Sequence, residues 1–202
     1  MTLKFAVIGC GEIAKKAHLP ILTSMGEVEV VSVVDVNEEK AKNTAKKFRI
    51  KKYYTAVESA LKDDEVNVIV VATPTPTHAK IAVEAANAGK HVVVEKPLAM
   101  SSKEGFMVRD AVKSNNIKLT VVQNYRYFPS VRKAKEILNR GLIGHVTNFY
   151  CIAHNPWPNQ WTRGTWLYHE LGVLLDFAPH PVDLVTWMFK NIPRRAVSYT
   201  HL

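Results

Sequence analysis

The chain has 202 residues, of which 47% are hydrophobic and 22% charged, and its formal net charge is +9 at pH 7. This length predicts one large domain or one domain with part of a second, and the apolar fraction is sufficient for a proper core. No apolar run is long enough to span a membrane, and the N-terminus does not have the pattern of a signal peptide. Two cysteines are too few for a disulfide framework. We therefore expect a cytoplasmic protein with no membrane partner.

Strand and helix signals alternate through residues 1–122. The predicted strands are Leu3–Gly9, Val28–Asp35, Lys52–Tyr54, Val66–Ala72, His91–Glu95 and Lys118–Val122. The predicted helices begin near Ile13 (with a kink at Pro20) and after Asn37, which caps a helix reaching Phe48, and further helices cover Ala56–Leu61, Thr77–Ala88 and Lys103–Ser114. This alternation predicts an α/β domain over residues 1–122, a doubly wound parallel sheet with helices on both faces.

The regular alternation of strand and helix signals ends after Val122. A polar and aromatic connector starts at Gln123, and the following elements are a helix from about Ser130 to Gly141, a longer strand His145–His154, a loop Asn155–Thr165, and a helical stretch from about His169 to Lys190 that Pro179 and Pro181 interrupt. Residues 123–202 are therefore predicted to be the start of a second, α+β domain.

Much of the excess positive charge lies between Lys40 and Lys52. A basic patch attracts phosphate without specificity, but Ala41, Ala45 and Phe48 recur at helical spacing on the other side of this segment, which favours a solvated helix face. Since no nucleic-acid fold motif is present, we expect no nucleic-acid partner.

A glycine loop, Gly9-x-Gly11-x-x-Ala14, follows the first predicted strand and opens a helix. Gly9 permits a tight turn, Gly11 lets the backbone approach a pyrophosphate, and Ala14 allows close packing of helix on strand. Asp35, at the end of the second strand, can accept hydrogen bonds from ribose hydroxyls and repels a 2′-phosphate. The predicted cofactor is therefore NAD rather than NADP, with Glu12 and Ile13 as further loop contacts. The alternative is a flavodoxin-like fold without a dinucleotide.

Two further segments follow predicted strands at the same edge of the sheet. After the fourth strand comes Thr73-Pro74. Thr77 is able to cap the next helix, and His78 is either a cofactor contact or a packing residue.

After the fifth strand comes Glu95-Lys96-Pro97. Pro97 restricts Lys96 to extended geometry, which can aim its ammonium across the crevice as a hydrogen-bond donor or proton relay, and Glu95 supports it. The alternative is a lysine that only forms an ion pair.

A third group, Asp176, His180 and Asp183, falls at helical spacing. Carboxylates beside a histidine fix its tautomer and make it more basic, so that His180 could take the proton released when a substrate C–OH loses hydride. The alternatives are an interface histidine and a metal site. Because a third, better ligand is lacking, we expect no metal.

Together the glycine loop, Glu95-Lys96-Pro97 and the pattern Gly172-x-x-x-Asp176-x-Ala178-x-His180-x-x-Asp183 resemble the Gfo/Idh/MocA oxidoreductases, NAD(P)-dependent dehydrogenases acting mostly on sugars and cyclitols. The resemblance implies a Rossmann sheet, a catalytic set of Lys96, Asp176 and His180, and hydride transfer to or from a polyol or sugar. It also implies cofactor contacts at Thr73, Pro74, His78, Glu95, Lys96 and Gln123. Gln123 lies in a segment similar to the family's domain junction.

The chain departs from the family pattern in two ways that bear on the substrate pocket. Ala178 stands where glycine is usual, and His169-Glu-Leu replaces a glycine run before Gly172. Family members are longer, so we expect a C-terminally truncated frame or a fragment, and a homo-oligomer in the full-length form. An NAD-dependent glycosidase of the same family and a nucleotide-binding module without turnover are the alternative functions.

Overall fold

In the computed structural model the chain divides into two units, Met1–Val122 and Gln123–Leu202. The structure describes residues 2–152, 172–192, 194–195 and 197. Among these residues, no helix combines the length and the apolar character that crossing a membrane would need.

The first unit contains a six-stranded sheet in which every neighbouring pair is parallel. Its strands are β1 (Leu3–Ile8), β2 (Val28–Val34), β3 (Lys52–Tyr54), β4 (Val68–Val71), β5 (His91–Val94) and β6 (Leu119–Val121). The strand order is β3-β2-β1-β4-β5-β6, so successive strands are added on one side of β1 and then, from β4 onward, on its other side. This is the order of a Rossmann fold, and the predicted fold class is confirmed.

Helices connect these strands and cover both faces of the sheet. They are α1 (Leu19–Ser24), α2 (Glu38–Phe48), α3 (Val57–Leu61), α4 (His78–Asn87) and α5 (Ser102–Ser114). All four residues of β4 are buried; Ile69 and Val71 belong to one hydrophobic cluster, Val68 and Val70 to the other. A continuous apolar run is what a strand covered on both faces requires.

The helix predicted from about Ile13 contains a π-helical turn over Ala14–His18 before α1 begins. The Leu19 N–H donates to the Ala14 carbonyl, one residue further back than in an α-helix. Pro20 follows and has no N–H with which to continue the α-helical pattern. The predicted irregularity at Pro20 is thus a widened turn on its N-terminal side.

Two predicted helix caps have different outcomes. Asn37 caps α2 as predicted, since its Oδ1 accepts a hydrogen bond from the Lys40 N–H at 2.9 Å. The Thr77 cap of α4 is wrong: its hydroxyl donates to the Pro74 carbonyl at 2.7 Å and closes a 3-10 turn, Thr75–Thr77, that precedes the helix.

The lysine-rich segment is a solvated helix face. Ala41 and Ala45 are buried on the inner side of α2, while Lys42, Lys46 and Lys47 are exposed. This is the arrangement of an amphipathic surface helix.

The second unit begins with a 3-10 turn, Asn124–Tyr127, and continues with α6 (Pro129–Asn139), α7 (Gly172–Phe177) and α8 (Pro179–Phe189). The predicted strand His145–His154 is wrong over residues 145–152, which are irregular; the described part of this unit offers no other strand to pair with. Residues 153–154, the predicted loop Asn155–Thr165 and His169–Leu171 lie outside the described residues.

The helical stretch expected to carry Asp176, His180 and Asp183 on one face is two helices that meet at Ala178. Pro179 and Pro181 lack the N–H groups that would bond to the preceding turn, which explains the interruption. Asp176 therefore lies on α7, whereas His180 and Asp183 lie on α8.

Candidate cofactor cleft and catalytic residues

A cleft of about 880 Å³ lies at the carboxyl ends of the central strands. Ligands of open parallel sheets bind at this edge, where the strand order reverses. Five of the predicted cofactor residues line the cleft: Gly9, Gly11, Asp35, Thr73 and Pro74.

The two glycines of the loop differ in what surrounds them. Gly9 has φ +97°, and a Cβ there would lie 2.4 Å from the Ala72 carbonyl oxygen, so the loop passes directly over the end of β4. A Cβ on Gly11 would meet nothing within 4 Å. The space over Gly11 is thus open to the cleft, as an approaching pyrophosphate would need.

Asp35 is held by the backbone on both carboxylate oxygens. Its Oδ2 accepts from the Cys10 N–H at 3.0 Å and its Oδ1 accepts from the Asn37 N–H at 2.9 Å. Each carboxylate oxygen keeps a second acceptor position, which suits ribose hydroxyls. Cys10 itself is fully buried, and burial raises the pKa of its thiol, which fits a small loop filler rather than a reactive group.

His78 is only 1% exposed, and both of its ring nitrogens face backbone carbonyls. Nδ1 lies 2.8 Å from the Pro97 oxygen and Nε2 lies 2.8 Å from the Thr73 oxygen. The side chain thus joins the loop after β4 to the turn after β5. Of the two predictions for His78, this geometry favours the packing residue.

Glu95 and Lys96 follow β5, and the peptide bond between Lys96 and Pro97 is cis. The Glu95 Oε1 lies 2.8 Å from Nε2 of His18, and Oε2 accepts from the Lys96 N–H at 3.3 Å. The side chains of His18 and Glu95 are 13% and 12% exposed. Sequence reasoning predicted a supporting function for Glu95 and missed His18.

The remaining cofactor candidates lie outside the cleft lining. Glu12 is exposed and pairs with Lys15 and Lys16, and Ile13 is 45% exposed at the start of the helix. The Oε1 atom of Gln123 is buried and accepts no hydrogen bond within the described part of the chain. A buried amide oxygen without a donor is an acceptor position that a ligand could satisfy.

The cleft is also lined by residues that no sequence motif marked as functional. Residues 55–58 follow β3 and line it, together with Lys40, Lys80 and Glu84. The rule that ligands meet the carboxyl ends of strands could have identified residues 55–58. Lys80 and Glu84 lie on α4 and become neighbours of the cleft only through tertiary packing.

In the second unit, His180 is 7% exposed and stacks on the ring of Tyr125, with ring centroids 4.0 Å apart and an angle of 6° between the planes. Phe177 contacts the same imidazole edge-to-face at 6.2 Å. Asp176 is half-buried on α7. Two aromatic rings therefore contact the imidazole of His180.

The Asp183 carboxylate forms a two-pronged ion pair with Arg126: the Arg126 Nε donates to Oδ2 at 2.7 Å and Nη2 donates to Oδ1. The hydrogen bond that the Arg126 guanidinium donates to Asp183 is the first cause of its raised pKa. At the C-terminal end of α8, the buried Lys135 donates to the carbonyls of Trp187 and Met188, and burial lowers the pKa of its ammonium. Two cations from earlier in the unit, Arg126 and Lys135, thus bind α8 near its middle and at its C-terminal end.

Comparison with known proteins identifies the family. A model described as the oxidoreductase family with an NAD-binding Rossmann fold matches residues 3–123, and the Gfo/Idh/MocA C-terminal domain model matches residues 131–201. The chain belongs to the Gfo/Idh/MocA family. The resemblance stated from the motifs is confirmed, as is NAD as the cofactor of this Rossmann fold.

The relatives of this family member include dehydrogenases. This chain is 34% identical over 163 residues to a levoglucosan dehydrogenase of Pseudarthrobacter phenanthrenivorans, and the match covers 77% of this chain and 41% of the relative. It is 29% identical to Oxidoreductase P35 of Formosa agariphila, covering 94% of this chain and 61% of the relative. The family member thus spans about 41% and 61% of the lengths of these two relatives.

Solved structures share the fold. The structure of GenD2 from gentamicin A biosynthesis, in complex with NAD, matches with a TM-score of 0.78 and 30% identity, covering 93% of this chain and 54% of the other. A scyllo-inositol dehydrogenase from Lactobacillus casei with bound NAD(H) and scyllo-inositol matches with a TM-score of 0.80 at 19% identity, covering 93% of this chain and 56% of the other. The second likeness supports the fold alone.

Proposed function

We propose that this protein is an NAD-dependent oxidoreductase that moves a hydride between nicotinamide and a carbinol carbon of a sugar or cyclitol. The observation that carries the proposal is the cleft over Gly9 and Gly11, with Asp35 held at its edge by two backbone N–H groups. The dehydrogenases among its relatives support the substrate class.

The residues present fit the cofactor. Gly11 leaves open the space a pyrophosphate would take, and the carboxylate of Asp35 has acceptor positions for the adenosine ribose hydroxyls. Asp35 also carries the charge that disfavours a 2′-phosphate, so we propose a preference for NAD over NADP. When bound, NAD accepts or returns the hydride.

Three side chains divide the proton chemistry in this proposal. His180 takes the proton of the substrate hydroxyl as the C–H hydride leaves, Asp176 orients that hydroxyl, and the Lys96 ammonium donates a hydrogen bond to the oxygen as it becomes a carbonyl. The stacked Tyr125 ring keeps the imidazole of His180 in one orientation. Asp183 acts on α8 through Arg126 rather than on the substrate.

The experiment has two arms. Titration calorimetry with NAD and NADP measures cofactor binding and preference, and absorbance of NADH during incubation with a panel of sugars and cyclitols measures turnover. We expect tighter binding of NAD than of NADP, and NADH formation that His180→Ala abolishes. Tighter binding of NADP would refute the assignment of Asp35, and NADH formation that survives His180→Ala would refute that of His180.

A further inference from the structure

His18 connects the cofactor loop to the segment that carries Lys96. The π-helical turn Ala14–His18 begins three positions after Gly11, and Ala14 is fully buried against the sheet. His18 is the last residue of this turn, and its Nε2 lies 2.8 Å from the carboxylate of Glu95, the residue that follows β5. π-Helical turns are rare and occur frequently at functional sites.

The Glu95 carboxylate has two partners, one on each oxygen. Oε1 contacts His18, and Oε2 accepts from the backbone N–H of Lys96 at 3.3 Å. An imidazole can carry hydrogen on Nε2 in its neutral or its cationic form, so His18 can donate to Oε1 in both. With both side chains nearly buried, little water competes for this contact.

We propose that His18 is a positioning residue for Lys96, acting through the carboxylate of Glu95. The proposal rests on the proposed function, in which Lys96 serves the substrate oxygen. His18 holds Glu95 in one orientation, and Glu95 in turn holds the backbone at Lys96. Because the same turn follows the glycine loop, the site that binds the pyrophosphate and the lysine that serves the substrate are joined through two hydrogen bonds.

The test measures amide hydrogen exchange at Lys96 by NMR in the 202-residue protein, without substrate. In His18→Leu, Glu95 loses its anchor, and we expect Lys96 amide exchange to accelerate at least tenfold while the amides of β4 and β5 exchange as before. His18→Gln keeps an N–H at a similar reach and should restore most of the protection. His18→Asn is polar but too short to reach Glu95, and should behave like His18→Leu even if the leucine variant folds poorly.

His91→Leu is the matched control. His91 lies on the same strand at its opposite end, and its Nδ1 accepts from the Lys118 N–H at 3.1 Å. Losing that contact should leave Lys96 exchange within twofold of the parent. The proposal is overturned if Lys96 exchange changes less than twofold in both His18→Leu and His18→Asn, or if His18→Gln, folded, shows no recovery.

Cofactor binding separates this inference from the proposed function. We expect the dissociation constant for NAD to stay within about threefold of the parent in the His18 variants, since Gly11 and Asp35 are untouched. If the parent protein bound no NAD while the His18 variants still released the Lys96 amide, the proposed function would fail and the connection through Glu95 would stand.

Discussion

The glycine loop gives the sharpest prediction, because its two glycines should fail in different ways when changed to alanine. Gly9 has φ +97°, and an added Cβ would lie 2.4 Å from the Ala72 oxygen, 2.8 Å from the Ala72 carbonyl carbon and 3.1 Å from the Thr73 nitrogen. All three are backbone atoms, so no flexible side chain can move aside. Gly11 has neither a positive φ nor an atom within 4 Å of such a Cβ.

The expected magnitude follows from two costs. A non-glycine residue in the left-handed region costs about 1–2 kcal/mol, and forcing a methyl group into a filled site costs about 1–3 kcal/mol more. Gly9→Ala should therefore lower the free energy of unfolding by about 3 kcal/mol. With a urea m-value of about 2 kcal/mol/M, the midpoint should fall by about 1.5 M.

Gly11→Ala should leave the urea midpoint within about 0.3 M of the parent, which is about 0.6 kcal/mol. Its Cβ would occupy space in the cleft, so NAD should bind at least tenfold more weakly, a loss of about 1.4 kcal/mol. Urea unfolding followed by circular dichroism and NAD titration by calorimetry give both quantities. A parent-like midpoint for Gly9→Ala, or parent-like NAD affinity for Gly11→Ala, would refute this account of the loop.

Three further predictions test other parts of the molecule. Asp35→Ser should relax discrimination against NADP, because it removes the charge that repels a 2′-phosphate; the ratio of the two dissociation constants checks this, and an unchanged ratio contradicts it. Lys96→Met should leave NAD binding nearly intact and lower turnover at least tenfold, roughly 1.4 kcal/mol of barrier, whereas turnover within twofold would reduce Lys96 to a structural ion pair. Burial alone would raise the pKa of Asp63, but the hydrogen bonds from Lys52 and the Glu65 N–H hold it below its usual value. The stability that Asp63 contributes is present above its unfolded pKa of about 3.9 and is lost as the pH falls through the lower folded value. The free energy of unfolding, measured from pH 6 to pH 2, should therefore fall less in Asp63→Asn than in the parent. Equal losses in the two proteins would contradict this prediction.

The Rossmann sheet could be predicted because its signals are local. β4 reads as an unbroken apolar run because both of its faces are covered, and the turn after β1 requires a glycine that the sequence displays directly. A parallel sheet also brings the carboxyl ends of its strands to one edge, so the predicted parallel strands and the positions of the motifs were enough to place Gly9, Asp35 and Thr73 at one cleft.

The errors arise where local sequence does not identify a residue's partner. The segment 145–152 has the composition of a strand, but a strand forms only beside another, and sequence composition does not report the neighbour. The hydroxyl of Thr77 contacts the Pro74 carbonyl and the Thr73 hydroxyl instead of an N–H of α4, because a 3-10 turn precedes the helix. His18 was missed since its carboxylate partner is 77 positions away.

Asp183 shows how a correct spacing can still mislead about a partner. Its place on α8 near His180 suggested a carboxylate for the imidazole, yet its oxygens are taken by Arg126, 57 positions earlier in the chain. The residue before Arg126 is Tyr125, whose ring lies against His180. One short 3-10 turn therefore contacts α8 at two positions, through a charge at Asp183 and through an aromatic face at His180. Because both contacts come from adjacent residues of a single turn, a shift of that turn would move the imidazole and its helix together. The connector, which the sequence showed only to be polar and aromatic, therefore helps to orient the proposed proton acceptor, His180.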